Sequence, residues 1–371
     1  MHKVLIIFQI STVISLASPP CRDRFLQPFS SSSIWNHPIG SNASYFPAGI
    51  YQGPPGSRTG PPIEFHNDLE YPILADFGTP NRSWMDDSGN FPGSCSTVGP
   101  VRGTLPLPDN FVTDCVPNNA GAAILFPDNR TVAQLQPLYR HNLTHFVAWY
   151  HNGAPDPFPW VVDVEGDGAL GAHGGSGLSA FGGSIRSGEL SASTGPIMHA
   201  IKLELWAHAW YFANWSSMQP DSAFSWPATG SDSYTFSTNG NGYNGTNPYL
   251  KPGSLLSVPP NLSPSIEARL TTTPGKKILQ ALTLFGGYIV DDTGSQEGGG
   301  AFCAEHAVNE EMEREYGFSI SISNPLTPSQ GSGLYNDLVA IFQALSVVVN
   351  NSPYSIGGGG SPLAPLAPPL C

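Results

Sequence analysis

Five side chains of the kinds that bind and cleave sugars lie two residues apart in the sequence. They are Lys202, Glu204, Trp206, His208 and Trp210. Side chains two residues apart share one face of a β-strand, so this spacing predicts a strand face that mixes indole rings with ionisable groups. Indole rings offer large, flat apolar surfaces. We therefore predict a glycan-binding groove in which Lys202, Trp206 and Trp210 bind substrate, while Glu204 and His208 are catalytic.

A second group of ionisable side chains precedes this stretch and is predicted to be catalytic: Arg186, Glu189 and His199. A polysaccharide lyase needs a cation beside the uronate carboxylate and a base for the C5 proton, and Arg186 and His199 have that chemistry. A glycoside hydrolase instead needs two carboxyl groups. The candidates for these groups are Glu189, Glu204, Asp291 and Asp292. Of these, Asp291 is also predicted to bind substrate.

Each of these residues has a structural interpretation as well, which the sequence leaves open. The tryptophans could lie beneath a covering loop, and His199 falls on the apolar face of the predicted strand, where core histidines occur. Arg186 and Glu189 could form a structural ion pair. Asp291 and Asp292 are adjacent, so they point to opposite faces of a strand and could cap a turn.

The composition excludes several classes of protein. Gly (41) and Pro (37) are frequent among the 371 residues. Both interrupt long helices, so an all-helical bundle is excluded. Lys and Arg total 15 against 28 Asp and Glu, which gives a net charge of -13. Nucleic acids and anionic membranes attract basic surfaces, so neither is expected as a partner.

The N-terminus has the pattern of a secretory signal peptide. A charge at Lys3 is followed by an apolar run over 4–14 and a small-residue cleavage site ending at Ala17, so we assign residues 1–17 to the signal peptide. No other stretch of the sequence is long and apolar enough to span a bilayer. Eight sequons then indicate a secreted, extracellular glycoprotein, and their asparagines are Asn42, Asn81, Asn129, Asn142, Asn214, Asn244, Asn261 and Asn350.

The five cysteines of this exported chain indicate disulfide bonds. Cys95 and Cys115 flank one Gly/Pro-rich loop and form one predicted pair. Cys21 and Cys371 lie at the chain ends, which are often close in space, and form the other, so Cys303 is left as the odd thiol. The cysteines lack a C-x-x-C motif, and neither a metal nor a cofactor is predicted. The histidines have no diagnostic spacing either: His141, His145, His151, His173 and His208.

Short strands dominate the predicted secondary structure. The strand candidates are residues 122–126, 143–150, 160–164, 197–211 and 288–292. Helices are predicted at residues 274–285, 304–316 and 334–349. This pattern predicts a mainly β chain, a β-sandwich or jelly roll with a few short peripheral helices, in a single domain over residues 18–356.

Two segments stand out by their glycine content. Residues 166–188 are dense in glycine, which indicates that the backbone there lies close to another part of the chain. Residues 357–371 combine glycine with proline and are predicted to form a disordered tail.

Six segments resemble, in the same order, those of a group of secreted proteins for which no activity is settled. They are Trp35-Asn36, 177–186 with Glu189, His199-Ala200, Trp226-Pro227-Ala228, 275–282 and Gly287–Asp292. The resemblance implies an exported, carbohydrate-related protein and supplies no catalytic residues. Arg186, Glu189 and His199 also resemble strand motifs of jelly-roll alginate lyases, which implies a polysaccharide lyase by analogy.

The sequence thus favours an extracellular glycoprotein that binds a polysaccharide and, in the leading hypothesis, cleaves it as a lyase or hydrolase. A non-catalytic matrix, cell-wall or self-assembling glycoprotein is the alternative, because low charge and many sequons fit it equally well. A metal-dependent hydrolase that uses the histidines is a third hypothesis.

Overall fold

The computed structural model describes most of the chain. The described residues are 21–50, 63–65, 70–87, 98–113, 120–148, 160–238, 240–293, 299–318 and 332–371. The predicted signal peptide and both Cys95 and Cys115 lie outside them. The structure contains 26% strand and 18% helix, which confirms the predicted mainly β class with a few short helices. No described helix has both the length and the apolar character that crossing a membrane requires.

Fifteen short strands are seen in the described residues. They are β1 (Tyr45–Pro47), β2 (Ile63–Phe65), β3 (Tyr71–Leu74), β4 (Asn81–Asp87), β5 (Val98–Pro106), β6 (Ala122–Leu125), β7 (Thr131–Leu135), β8 (Leu138–Arg140), β9 (His145–Ala148), β10 (Trp160–Asp163), β11 (Ile201–Leu205), β12 (Leu255–Ser257), β13 (Gly287–Asp292), β14 (Gly300–Phe302) and β15 (Ser346–Val348). The strands predicted at residues 122–126, 160–164 and 288–292 are confirmed as β6, β10 and β13.

The same residues contain five α-helices: α1 (Ala207–Trp210), α2 (Ser263–Glu267), α3 (Thr273–Leu284), α4 (Ala307–Tyr316) and α5 (Ser332–Ala344). The predicted position of α3 is confirmed, and its cap is the hydroxyl of Thr272, which accepts a hydrogen bond from the amide of Gly275 at 3.1 Å. The helix predicted over residues 334–349 ends earlier, at Ala344. The remaining residues form β15, which pairs with β1 and β12.

A seven-stranded mixed sheet is the largest element, with the strand order β1-β15-β12-β13-β11-β14-β2. Its strands β11 and β13 run parallel, so that Leu205 lies opposite Asp292 at their carboxyl ends. On one face of β11, Leu203 joins an apolar cluster with Ile278 of α3 and Leu338 of α5. The helices therefore cover that face of the sheet.

The other two sheets have four strands each, in the orders β10-β7-β6-β3 and β5-β4-β9-β8. Ile124 and Leu135 of the first sheet share one apolar cluster with Trp84 and Phe146 of the second. A shared core between two sheets is the arrangement of a β-sandwich, so the predicted sandwich class is confirmed.

The long strand predicted over residues 197–211 is wrong. Strand β11 ends at Leu205, and the chain turns at Trp206 into α1. A residue of the neighbouring parallel strand β13 holds this turn: the carboxylate of Asp292 accepts a hydrogen bond from the amide of Ala207 at 2.7 Å. An amide bound in this way caps a helix and does not continue a strand ladder. The aromatic side chains beyond the strand end therefore leave its polar face.

The predicted disordered tail, residues 357–371, is instead ordered and packed. Cys371 forms a disulfide with Cys21, as predicted for the chain ends. The guanidinium of the neighbouring Arg22 is buried and donates a hydrogen bond to the carbonyl of Pro368. The prediction failed because composition does not show what a Gly/Pro-rich segment packs against.

Removing the Cys21–Cys371 bond is expected to destabilise the protein, because the bond joins residues 350 positions apart. Replacing Cys21 with Ser should lower the free energy of unfolding by about 2–5 kcal/mol. Chemical denaturation of both proteins under oxidising conditions measures the difference. Peptide mapping without reductant is the control, and failure to find a linked pair of terminal peptides in the unaltered protein would contradict the assignment.

Candidate functional site

The polar face of β11 is buried, contrary to the predicted open groove. Lys202 and Glu204 are both 0% exposed. The glycine-rich segment 171–188 covers them, and the amide of Lys202 donates to the carbonyl of Gly183 at 2.8 Å. A methyl group at Gly183 would lie 2.4 Å from the ring of Trp35 and 2.9 Å from Cγ of Lys202. Only glycine allows the backbone to approach Trp35 and Lys202 so closely. Because the segment lies so close, neither Lys202 nor Glu204 is accessible to a polysaccharide.

Lys202 and Glu204 belong to a buried polar cluster that also contains Glu70, His173 and Cys303. The ammonium of Lys202 pairs with the carboxylate of Glu70. The sulfur of Cys303 lies 3.1 Å from Oε1 of Glu204 and 3.9 Å from Nε2 of His173. The same nitrogen lies 3.5 Å from Oε1 of Glu70. Carboxylate, imidazole and thiol are ligand types of transition metals, so this cluster is able to hold a metal ion.

Arg186, Glu189 and His199 also come together, but in a closed structural group. Nε2 of His199 lies 3.0 Å from Oε1 of Glu189. The guanidinium of Arg186 donates to the carbonyl of Phe25 and lies 4.9 Å from the centre of its ring. The pocket beside Arg186 and His199 has a volume of about 10 Å³, which is room for a single water molecule. The structure therefore favours the core-histidine interpretation of His199, and it pairs Glu189 with His199, while Glu189 contacts Arg186 through the backbone amide.

A partly accessible group of rings and acids lies instead where β11 and β13 end, around the buried Asp292. Asp292 accepts hydrogen bonds there from the amide of Ala207 and the hydroxyl of Tyr234. The rings of Trp206 and His208 are 5.9 Å apart between centres, and those of His208 and Tyr234 are 5.6 Å apart. All three rings are half-buried. We name this surface the aromatic–acid cluster and define it as Trp206, His208, Asp232, Tyr234, Tyr243 and Asp292.

Asp232 is the half-buried acid of the aromatic–acid cluster. Its Oδ2 accepts a hydrogen bond from the hydroxyl of Tyr243 at 2.6 Å. Burial and, next, the negative charge of Asp292 raise the pKa of Asp232 to about 6, although the hydroxyls of Tyr243 and Tyr234 act in the opposite direction. A carboxyl group with such a pKa is able to give up a proton in mildly acidic solution, as a general acid must.

Asp291 contacts different partners from its neighbour Asp292, as expected for adjacent strand residues. It is 5% exposed, and its Oδ2 lies 3.6 Å from Nδ1 of His173. A methyl group at Gly175 would lie 2.7 Å from Oδ1 of Asp291 and 3.4 Å from Oδ1 of Asp232. The glycine thus fills the narrow space between the two carboxylates, and Asp291 is not exposed to a substrate.

Two of the residues predicted for substrate or catalysis remain at an accessible surface together, namely Trp206 and His208. The ring nitrogen Nδ1 of His208 lies 3.0 Å from the carbonyl of Gly242. Trp210 is half-buried and packs against the apolar core that contains Leu203. The predicted strand face is therefore divided between interior and surface.

Asp232, Tyr234 and Tyr243 were not predicted. They lie in the connection between α1 and β12, which is rich in Gly, Ser and Asn and has no hydrophobic periodicity. The one signal that could have found them is the density of tryptophan and tyrosine between residues 206 and 243. Glu70 and Cys303 were also missed as partners, since no spacing argument joins residues so far apart in the chain.

The Glu189–His199 pair predicts a pH-dependent stability. Burial lowers the pKa of His199, but the charge and hydrogen bond of Glu189 outweigh it and raise that pKa above its usual value. Burial raises the pKa of Glu189, but His199 outweighs it and lowers that pKa. The charged imidazole of His199 contributes fully to the free energy of unfolding below the unfolded pKa of histidine. That contribution is lost as pH rises through the pKa that His199 has in the folded protein. The carboxylate contribution is complete above the unfolded pKa of glutamate and is lost as pH falls.

His199→Gln should therefore cost most between about pH 4.5 and 6.5, by about 1.5–3 kcal/mol of unfolding free energy. Urea denaturation at pH 5.5 and pH 9 measures the loss, which should be smaller at pH 9. His141→Gln, which alters an exposed histidine, is the matched control and should cost little at either pH. Equal losses for His199→Gln at both pH values would show that the charge of the pair does not matter.

Comparison of the chain with protein-family models, curated proteins and solved structures found no match in any of the three. The resemblance to secreted proteins of unsettled activity therefore stays a prediction. The function has to be inferred from the chemistry of the described clusters.

Proposed function

We propose that this chain is a secreted glycoprotein that binds an extracellular polysaccharide at the aromatic–acid cluster and hydrolyses it, with Asp232 as the general acid. The observation that carries the proposal is a half-buried carboxyl group with a pKa of about 6 beside accessible aromatic rings. Perturbed carboxyl groups of this kind concentrate at functional sites.

The rings of Trp206, His208 and Tyr234 support sugar binding at this surface. Each is half-buried, so an edge or face is presented to solvent while the rest of the ring is held by packing. Such rings combine apolar area with polar tips, which suits the mixed surface of a sugar. Trp206 and His208, two of the residues predicted for substrate or catalysis, thus support sugar binding at the end of the strand.

The charges of the cluster favour hydrolysis over elimination. A hydrolase needs a protonated acid and a second, ionised carboxyl group. Asp232 is the proposed acid, and Asp292 beside it, 7% exposed and held by hydrogen bonds from an amide and a hydroxyl, is the ionised carboxyl group. A lyase acting on uronates needs a cation, and neither Arg186 nor Lys202 faces this cluster, because both are buried with other partners.

The positions of the sequons support secretion as a glycoprotein. Seven of the eight sequon asparagines are exposed. The exception is Asn350, whose amide donates to the carbonyls of Asn42 and Gly358 at 3.0 and 2.9 Å. A disulfide between Cys21 and Cys371 suits the same oxidising compartment.

A non-catalytic role is the second candidate, with glycan binding or self-association at the same surface. The observation that favours it is that Arg186, Glu189, His199 and Glu204, all predicted to be catalytic, have partners inside the protein. Binding that needs Trp206 but produces no cleavage would identify this role.

Asp232→Asn should abolish cleavage while leaving binding in place, because the amide keeps the shape of the carboxyl group but cannot give up its proton. We expect a loss of about 10²- to 10⁴-fold in the rate of appearance of reducing ends. The unaltered protein should lose activity as pH rises above about 6, where Asp232 deprotonates. The measurement uses a panel of plant, algal and microbial polysaccharides.

The matched control for this experiment is Asp221→Asn, which alters an exposed acid. It should keep full activity. Ultraviolet absorbance of unsaturated uronates, measured in parallel, detects elimination in place of hydrolysis. If no polysaccharide gives reducing ends, or if Asp232→Asn retains the full rate, the hydrolase proposal fails.

Asp232 should also make stability fall as pH rises. Its raised pKa means that the folded protein holds the proton more tightly than the unfolded chain does. The stabilising contribution of this proton to the free energy of unfolding is therefore complete below about pH 4 and is lost as pH rises through about 6. Asp232→Asn should therefore raise the free energy of unfolding at pH 7.5 by about 1–3 kcal/mol and change it little at pH 4. Denaturation of both proteins at the two pH values tests this, and a variant that is less stable at pH 7.5 would contradict it.

A further inference from the structure

We infer that the buried polar cluster binds a zinc ion, with Glu70, His173 and Cys303 as its ligands. One donor atom from each of Glu70, His173 and Cys303 lies within 4.8 Å of the other two. Glu204 lies beside them, and its Oε1 is 3.1 Å from the sulfur of Cys303. The site is distinct from the aromatic–acid cluster and does not depend on the function proposed for that surface.

The spacing of His173 and Glu70 matches that of two donors around zinc, and the sulfur of Cys303 lies slightly farther away. Zinc bonds of roughly 2.0–2.3 Å in tetrahedral geometry place neighbouring donors roughly 3.4–3.6 Å apart. Nε2 of His173 lies 3.5 Å from Oε1 of Glu70 and 3.9 Å from the sulfur of Cys303. Direct hydrogen bonds between nitrogen and oxygen are shorter, at about 2.7–3.2 Å. The imidazole of His173 and the carboxylate of Glu70 are thus spaced as donors around a common centre.

The types of donor select the ion. Calcium and magnesium are bound through oxygen ligands, and a site for either would not include a thiol and an imidazole. Cys303 and His173 instead suit zinc, which accepts sulfur, nitrogen and oxygen donors together. The inference therefore rests on the mixed donor set and not on the acidic residues alone.

Asp291 provides an independent indication, because its carboxylate faces the other side of the His173 ring. Its Oδ2 lies 3.6 Å from Nδ1 of His173, and its Oδ1 is fixed by the amide of Asp292 at 2.8 Å. A histidine that ligates a metal commonly turns its second nitrogen to a carboxylate, which sets the tautomer and the ring orientation. In this orientation the Nε2 lone pair faces Cys303 and Glu70.

The charges of the cluster also balance around a divalent ion. Glu70 and Glu204 are 1% and 0% exposed, and buried charges of one sign are costly without compensation. Lys202 is the buried cation beside them, paired with Glu70. With the thiol of Cys303 ionised, two carboxylates and one thiolate face Lys202 and one zinc ion and are neutral together with them, while the further buried carboxylate of Asp291 lies on the other side of His173.

The backbone holds the ligands in place before any ion binds. The amide of Glu70 donates to the carbonyl of Ala304, next to Cys303, at 3.2 Å. The amide of Cys303 donates to the carbonyl of Lys202 at 3.2 Å, and that of His173 bonds within the glycine-rich segment at 2.9 Å. A zinc ion would thus join three distant segments of the chain, which is a structural role.

The same atoms resemble a nucleophilic thiol beside an imidazole, as in cysteine hydrolases. Cys303 is 0% exposed, so a substrate cannot reach its sulfur. A closed site of this kind is typical of structural zinc, whereas catalytic sites keep an open position.

Metal analysis of the full chain, secreted from a eukaryotic host, tests the inference. After dialysis against metal-free buffer, mass spectrometry of the elements should find about one zinc ion per chain. His173→Gln should lower the zinc content roughly tenfold or more. The matched control, His141→Gln, alters an exposed histidine and should keep it. Asp232→Asn should also keep it, which separates this inference from the proposed hydrolysis.

A cobalt spectrum keeps the test decisive if the variants fail to fold. Co²⁺ added to the unaltered protein after treatment with a chelator should give the near-ultraviolet absorption of a thiolate-bound cobalt ion, and Cys303→Ser should remove it. The inference is overturned if the unaltered protein contains no zinc and binds neither Zn²⁺ nor Co²⁺. It is equally overturned if Cys303→Ser retains the cobalt absorption.

Discussion

The ion pair between Lys202 and Glu70 is fully buried, and its cost explains much of the surrounding structure. Taking two charges out of water costs several kcal/mol for each ion, which their attraction offsets only when further hydrogen bonds are made. Glu70 accepts one from the hydroxyl of Ser184, and Lys202 donates one to the carbonyl of Ser179. Both serines belong to the glycine-rich segment 171–188. The pair is therefore satisfied only when that segment lies across the sheet.

Covering this face of the sheet decides which polar groups stay accessible. Strands β11 and β13 are parallel neighbours, so their carboxyl ends meet at one edge, where Gly175 of the covering segment lies between Asp291 and Asp232. Ligands of open sheets with parallel strands commonly bind at that edge. Trp206 follows β11 there and Asp292 ends β13, and Tyr234, on the loop that carries Asp232, contacts Asp292 and the ring of His208. The polar and aromatic side chains that remain partly exposed therefore lie at the strand ends and not on the strand face.

Local patterns predicted the elements but not the partners across the fold. Turn residues and periodicity located β6, β10 and α3, and alternation correctly placed Leu203 and Glu204 on opposite faces of β11. Alternation does not show which face meets solvent, and a charged face is normally taken to be exposed because Lys and Glu are rarely buried unless paired. The partner of Lys202 is Glu70, far away in the sequence, so only the folded chain shows that the face is buried.

The adjacent residues Asp291 and Asp292 join the two polar clusters through one strand. Asp291 contacts His173 in the buried polar cluster, while Asp292 holds the start of α1 and the hydroxyl of Tyr234 at the surface. All residues of β13 are buried, so neither carboxylate can move without disturbing the core. The negative charge that helps to raise the pKa of Asp232 is therefore fixed in place by interior packing. Asp232, the proposed acid, therefore lies beside a charge whose position the rigid strand keeps constant. A constant geometry of this kind is what precise proton transfer to a bound substrate requires.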